Sequence, residues 1–226
     1  MSRDNATGAF RYDQGQVHQS EADAGGVSLV AYIHAIFDLL LQAGCREVLM
    51  IGCGGGTLAT MLHGAGIEVT IADVDSWSFR LARQYFRLPA GVVCHAVDGA
   101  ELLAESAQLY DAIVLDAYVG NHLPPQFGTA GCLRIVRDRL RSPAGLFIAN
   151  VHVLDDGDRA AAHYGEQVAA VWPDSRLLDA PGKKNRNALV LAGVVAALNS
   201  PRLRIAPAIG GAEISADLAG LRFAGD

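Results

Sequence analysis

The chain has 226 residues, of which 51% are hydrophobic and 19% charged, and its formal net charge is −6. That length suits one sizeable α/β domain with short extensions and excludes two full domains. The acidic balance excludes a general nucleic-acid surface, which needs clustered Lys and Arg, and suits a cationic small substrate. The opening MSRDNATGAFRYDQG carries no apolar signal region, and no apolar run reaches the length of a membrane span. A cytoplasmic protein with no membrane partner is expected. Cys45, Cys53, Cys94 and Cys132 are widely spaced, without a C-x-x-C pair or a Cys/His ligand spacing, and read as reduced thiols with no metal site.

In chain order, residues 1–26 are polar and glycine-containing, with Phe10 and Tyr12, and read as an arm or small hairpin covering a site. Val27 to Ala43 carries Val30, Ile33, Ile36, Phe37, Leu40 and Leu41 at helical spacing, and Gly44 stops it. Strand and helix then alternate. Strands are predicted at 47–51, 68–72, 91–96, 112–115, 146–151, 175–178 and 188–193, and helices between them at 57–63, 76–86, 100–106, 129–141 and 157–171. Such alternation makes a mostly parallel sheet with right-handed crossovers and helices on both faces. The expected organisation is an arm over 1–26, a catalytic domain over 27–198 and a loosely attached tail over 199–226 with room for a short strand, where Pro201, Pro207 and Gly210-Gly211 leave no strong periodicity.

Residues Val48 to Thr57 read VLMIGCGGGT, a buried strand breaking into a glycine turn. Gly52, Gly54, Gly55 and Gly56 let the backbone take positive φ and approach a ligand closely, and Thr57 opens a helix whose amides point back at the turn. The turn is neither the G-x-G-x-x-G of dinucleotide folds nor a loop ending in Lys-Ser/Thr. It fits the G-x-G-x-G turn of enzymes that use S-adenosylmethionine. Asp73 follows about 20 residues later at the tip of the next strand, the spacing of an acid that holds ribose hydroxyls, with Val74 beside it.

Asp98 and Gly99 follow the third strand, where a carboxylate either meets an adenine amino group or caps a helix. Asp116 ends the run Ala112–Leu115 and faces the space a nucleophile must enter. An amine must lose a proton before it attacks carbon, and Asp116 is the candidate acceptor; the alternative is a loop cap at a strand end. Tyr32, in the first helix, and Tyr118 are candidate substrate contacts. Asn150 and Asn187 lie beside apolar strands and satisfy backbone groups as readily as they bind a ligand. His34, His122 and His152 do not form a ligand spacing, and Lys183-Lys184-Asn185-Arg186 reads as a solvated hairpin tip.

VLMIGCGGGTLATML, VTIADVDSWSFRLARQYF, VDGAELL, YDAIVLDAYVGNHLPPQFGT and LFIANV, in that order, resemble the spermidine synthase-like, or polyamine aminopropyltransferase, branch of the S-adenosylmethionine-dependent methyltransferase fold. The resemblance spans about Val27 to Val194. It implies a Rossmann-like fold with a seven-stranded sheet, and either S-adenosylmethionine or its decarboxylated form as co-substrate. By the same resemblance Asp73 binds the ribose, Asp98-Gly99 lies by the adenine and Asp116 serves as general base. The reaction implied is polyamine biosynthesis by transfer of an aminopropyl group to a small-molecule amine or other nucleophilic acceptor. A homodimer is compatible with the family.

Three departures are visible. The family's G-G-G-D-G-G turn is GCGGGT here, without the acid. Its D-S/T-S/T-D-P is DAYVG, with Val119 in place of the second aspartate. Its amino-terminal β-domain is expected to shrink to the 26-residue arm. A methyltransferase acting on a small molecule and a catalytically silent nucleoside-binding homologue therefore stay open.

Overall fold

The computed structural model describes residues 1–14, 17–120, 122–141 and 144–225. At the amino end, β1 (Ser2–Arg3), β2 (Phe10–Gln14) and β3 (Val17–Ala22) form a small antiparallel sheet, so the expected arm is three-stranded. Helix α1 (Ala31–Gln42) starts four residues later than the periodicity suggests. The cause is local: Asp23 Oδ1 accepts from the amides of Gly25 and Val27, and Ser28 Oγ accepts from that of Val30, which holds this stretch in turns. At the other end, Gly44 has φ +70° and terminates the helix as read.

The main sheet begins with β4 (Glu47–Ile51), β5 (Glu68–Asp73) and β6 (Val93–Ala96), separated by α2 (Thr57–Gly64) and α3 (Ser76–Tyr85). Helix α4 (Gly99–Glu105) leads to β7 (Ala112–Leu115). A 3₁₀ turn (Pro125–Gly128) and α5 (Ala130–Asp138) lead to β8 (Leu146–Val153). Then come α6 (Ala160–Ala169), β9 (Ser175–Asp179) and β10 (Arg186–Gly193). Strands β4 to β8 run parallel, and β10 is antiparallel to both β8 and β9. All seven predicted strands are present.

Continuous apolar runs build the middle of this sheet because both faces are covered. Val48 and Met50 of β4 join Val114 of β7 in one core, against α1, α2 and α3. Leu49 and Ile51 join Ile113 and Leu115 in the other, against α4, α5 and α6. The alternation is that of successive Cβ atoms on a strand. Strand order reverses between β4 and β7, and the crevice at their carboxyl ends is where such sheets take ligands.

The segment over 199–226 differs from a loose tail. It holds α7 (Gly211–Gly220), with Ile214 and Leu218 buried in the same core as α1, and β11 (Arg222–Phe223), which pairs with β9 as an eighth strand. The anchor is the fully buried Asp38 of α1, which accepts from the Arg202 amide at 2.8 Å and pairs with Arg204. Those partners are 164 and 166 residues apart, so nothing local in the tail announces the attachment. Among the described residues no helix is long and apolar enough to cross a membrane.

Candidate active site

At the end of β4 the chain turns at Gly52, with φ +97°, directly against the Asp116 carbonyl of the neighbouring β7 end; a Cβ there would overlap that oxygen. Only glycine lets these two strand ends meet so closely. The turn is braced from two sides. Asp73 Oδ2 accepts from the Cys53 amide at 2.7 Å, while Ser20 Oγ of β3 accepts from the Gly55 amide at 2.7 Å. A Cβ on Gly55 would lie 2.8 Å from that of Ser20, so the amino-terminal sheet packs straight onto the turn.

Two cavities open from this crevice. The first, of about 290 Å³, is bordered by Gly52, Gly54, Asp73, Val74, Asp98 and Gly99, six of the eight residues expected to contact the cofactor. Gly55 and Gly56 are not among its walls: the first is covered by Ser20, and the second packs against Ala82 and Leu88. They serve the close packing of the turn on β3 and α3. Asp73 Oδ1 accepts from the Asp75 amide at 2.8 Å, so each of its oxygens has one backbone donor and keeps acceptor capacity. Burial raises its pKa, against the lowering effect of those two amides.

Asp98 is the N-cap of α4, accepting from the Ala100 amide at 2.8 Å, and its other oxygen accepts from Gln126 Nε2 at 3.0 Å. Tyr12, an aromatic of the arm expected to cover a site, borders the same cavity, as does Gln126, which carried no local sequence signal. The wall is bare backbone at Gly52, Gly54 and Gly99 and carries the Asp73 and Asp98 carboxylates, a polar set that fits an adenosine moiety. Cys53 sits beside Asp73 with its thiol pKa pushed up by burial and by that carboxylate, which holds it protonated and unsuited to act as a nucleophile.

The second cavity, of about 380 Å³, lies on the other side of Asp116 and includes Tyr32, Tyr118, Asn150 and Asn187 in its lining. Asp116, Tyr118, Cys53 and Gly54 border both spaces. The Asp116 carboxylate is fixed at both oxygens: Tyr32 donates its hydroxyl to Oδ2 at 3.1 Å, and Asn150 Nδ2 donates to Oδ1 at 2.7 Å. Asn187 Nδ2 in turn donates to Asn150 Oδ1 at 3.0 Å, and Tyr118 donates to the Asn150 carbonyl at 2.8 Å.

Burial raises the Asp116 pKa, partly offset by Asn150 and Tyr32. The same burial, with the charge of Asp116 next, raises Tyr32 and Tyr118, so both remain phenols. The structure brings Tyr32, Asp116 and Tyr118 together at one cavity, with Asn150 and Asn187, which the sequence left undecided, beside them. From the sequence, Arg186 reads as part of a solvated tip. Arg186 is instead buried, donating to both oxygens of Asp179 at 2.7 and 2.9 Å, and Asn185 beside it borders the second cavity.

No family model matches the chain. A probable polyamine aminopropyl transferase of Bifidobacterium longum is 28% identical over 166 residues, 71% of this chain and 37% of that protein. The chain thus spans little more than a third of that relative's length. The crystal structure of a probable spermidine synthase from Corynebacterium glutamicum superposes with a TM-score of 0.76 at 16% identity, covering 98% of this chain and 85% of that one. Human methyltransferase-like protein 13, in complex with SAH, gives 0.58 at 20% identity over 84% and 87%. The chain therefore has the Rossmann-like methyltransferase fold that these two groups share, with eight strands rather than the expected seven in its main sheet among the described residues.

Proposed function

We propose that the chain is a transferase that moves an aminopropyl group from decarboxylated S-adenosylmethionine to an amine, with Asp116 as general base. One observation carries this reading: a single half-buried carboxylate, Asp116, borders both an adenosine-sized cavity and a second, polar one. When bound in the first cavity, the donor supplies an electrophilic carbon next to sulfonium, whose bond to sulfur breaks with the electron pair going to sulfur.

The protein's part is to position groups and handle the proton. Asp73 holds the ribose, and the glycine turn lets the donor lie close to β4. In the second cavity Asp116 pairs with the ammonium form of the acceptor and takes its proton, freeing the nitrogen lone pair. Its raised pKa makes it a better proton acceptor than an exposed carboxylate, and Tyr32 and Asn150 fix its orientation. A cytoplasmic role in polyamine-type chemistry belongs to the same proposal.

Transfer of a methyl group from intact S-adenosylmethionine is the second reading. The turn's lack of an acid favours it, because an acid there would repel the donor's carboxylate. Against it, three turn amides are already committed: Cys53 to Asp73, Gly55 to Ser20 and Gly56 to the Cys53 carbonyl at 2.7 Å. A donor carboxylate would find few donors left there.

The test is product analysis with each donor and a panel of small amines. Methylthioadenosine with an aminopropylated amine is expected. S-adenosylhomocysteine with a methylated product would replace the leading reading by the second, and binding without any product would mark a silent homologue.

A further inference from the structure

The chemistry of the second cavity also bears on what the acceptor is. Among the described residues lining it, Asp116 is the single carboxylate. Its other polar groups, Asn185, Asn187 and His152 foremost, carry no negative charge, and Val30, Ile33 and Leu58 supply apolar surface.

Strand register orders these groups along the cavity. Asn150 lies one residue beyond Ala149, the partner of Leu115 at the end of β7, and therefore level with Asp116. His152 is two residues further along β8, about 7 Å at the usual rise per residue, and Asn187 of β10 is its cross-strand partner. Asn185 stands beyond them, its amide donating to the Leu154 carbonyl at 2.9 Å. The Asn187 amide turns back to Asn150, so the cavity has an anionic end at Asp116 and a far end at Asn185 and His152 with no carboxylate in its lining, separated by roughly the span of a four-carbon chain.

We infer that the acceptor is a short primary amine whose other end is a neutral hydrogen-bonding group, such as an amino alcohol, and is not an α,ω-diamine. The inference rests on the reading of Asp116 as the group that holds and deprotonates the amine. One ammonium is matched by Asp116. A second, at the far end, would leave water without gaining a counter-charge from the cavity lining, and Asp158, whose charge reaches His152, is already committed to the Leu154 and Ala160 amides; that is unfavourable in a partly buried site. A hydroxyl there both donates to and accepts from the Asn185 side-chain amide, which offers both functions.

The test is calorimetric titration of the chain, loaded with methylthioadenosine or in parallel with S-adenosylhomocysteine, using 4-aminobutan-1-ol and 1,4-diaminobutane. The expected result is at least tenfold tighter binding of the amino alcohol, and in Asn185→Asp a shift of that ratio by tenfold or more toward the diamine, with methylthioadenosine affinity reporting that the variant is folded. Tighter binding of the diamine by the wild-type chain overturns the inference while leaving Asp116 as an amine-holding base. An unshifted ratio in Asn185→Asp overturns the placement of the neutral end. If the loaded chain binds neither amine, the reading of Asp116 falls and the inference falls with it.

Discussion

The two cavities that meet at Asp116 are built in different ways. The donor side is made of short segments that each follow a strand: the turn after β4, Asp73 to Asp75 after β5, and Asp98-Gly99 after β6. The acceptor side is made of single side chains from α1, β7, β8 and β10, joined by hydrogen bonds between residues 84, 34 and 37 positions apart. One side depends on backbone geometry and carboxylates, the other on strand register and amides. Substitutions should therefore separate the two sides, donor affinity responding on one and turnover on the other.

The sharpest break is at the shared residue. Asp116→Asn should lower turnover by about 10²- to 10⁴-fold, the usual worth of a positioned base, while donor affinity measured by calorimetry stays within about twofold. Loss of donor binding in parallel would contradict the separation. Asparagine can still accept from Asn150 and donate to Tyr32, so the fold should hold.

The same variant tests the electrostatics. Burial lifts the Asp116 pKa in the folded state, so its contribution to stability is fully present below the unfolded value and is lost as pH rises through the folded value. Asparagine does not titrate. The melting temperature of Asp116→Asn relative to wild type should rise as pH increases, and the relative gain should vanish in acid.

Gly52→Ala should break both sides at once. The new methyl overlaps the Asp116 carbonyl at a positive φ, and a cost of about 3 kcal/mol in urea denaturation is expected. Asp73→Ala acts on the donor side alone, weakening methylthioadenosine by about 1.5–3 kcal/mol, the range for a hydrogen bond to a charged group. Asn187→Ala, on the acceptor side, removes the donor that orients Asn150 and should reduce turnover by about 1 kcal/mol in barrier, leaving methylthioadenosine affinity unchanged.

The same contrast explains what could be read before any coordinates. A buried apolar run that ends in glycines, and a carboxylate at the tip of the next strand, are local patterns, and they located β4, β5, Asp73 and the crevice. The bounds of β4 and β7 were legible for the same reason, since residues 48–51 and 112–115 are unbroken buried apolar runs, whereas β6 begins two residues later than predicted and β8 runs two residues further. Asn150 and Asn187 stayed ambiguous because their meaning depends on β10 running back beside β8 in a particular register. Gln126 reaches Asp98 only because Pro124-Pro125 turns the chain over the first cavity. The tail was misread as loose because Asp38, which fastens it, looks from the sequence like an ordinary polar position on α1.

The most direct measurement is calorimetric titration of the wild-type chain with decarboxylated S-adenosylmethionine, intact S-adenosylmethionine and methylthioadenosine, side by side. Binding of the decarboxylated donor in preference to the intact one, with methylthioadenosine also bound, is the expected result. Preference for the intact donor would contradict aminopropyl transfer, and binding of none of the three would contradict the assignment of the first cavity itself.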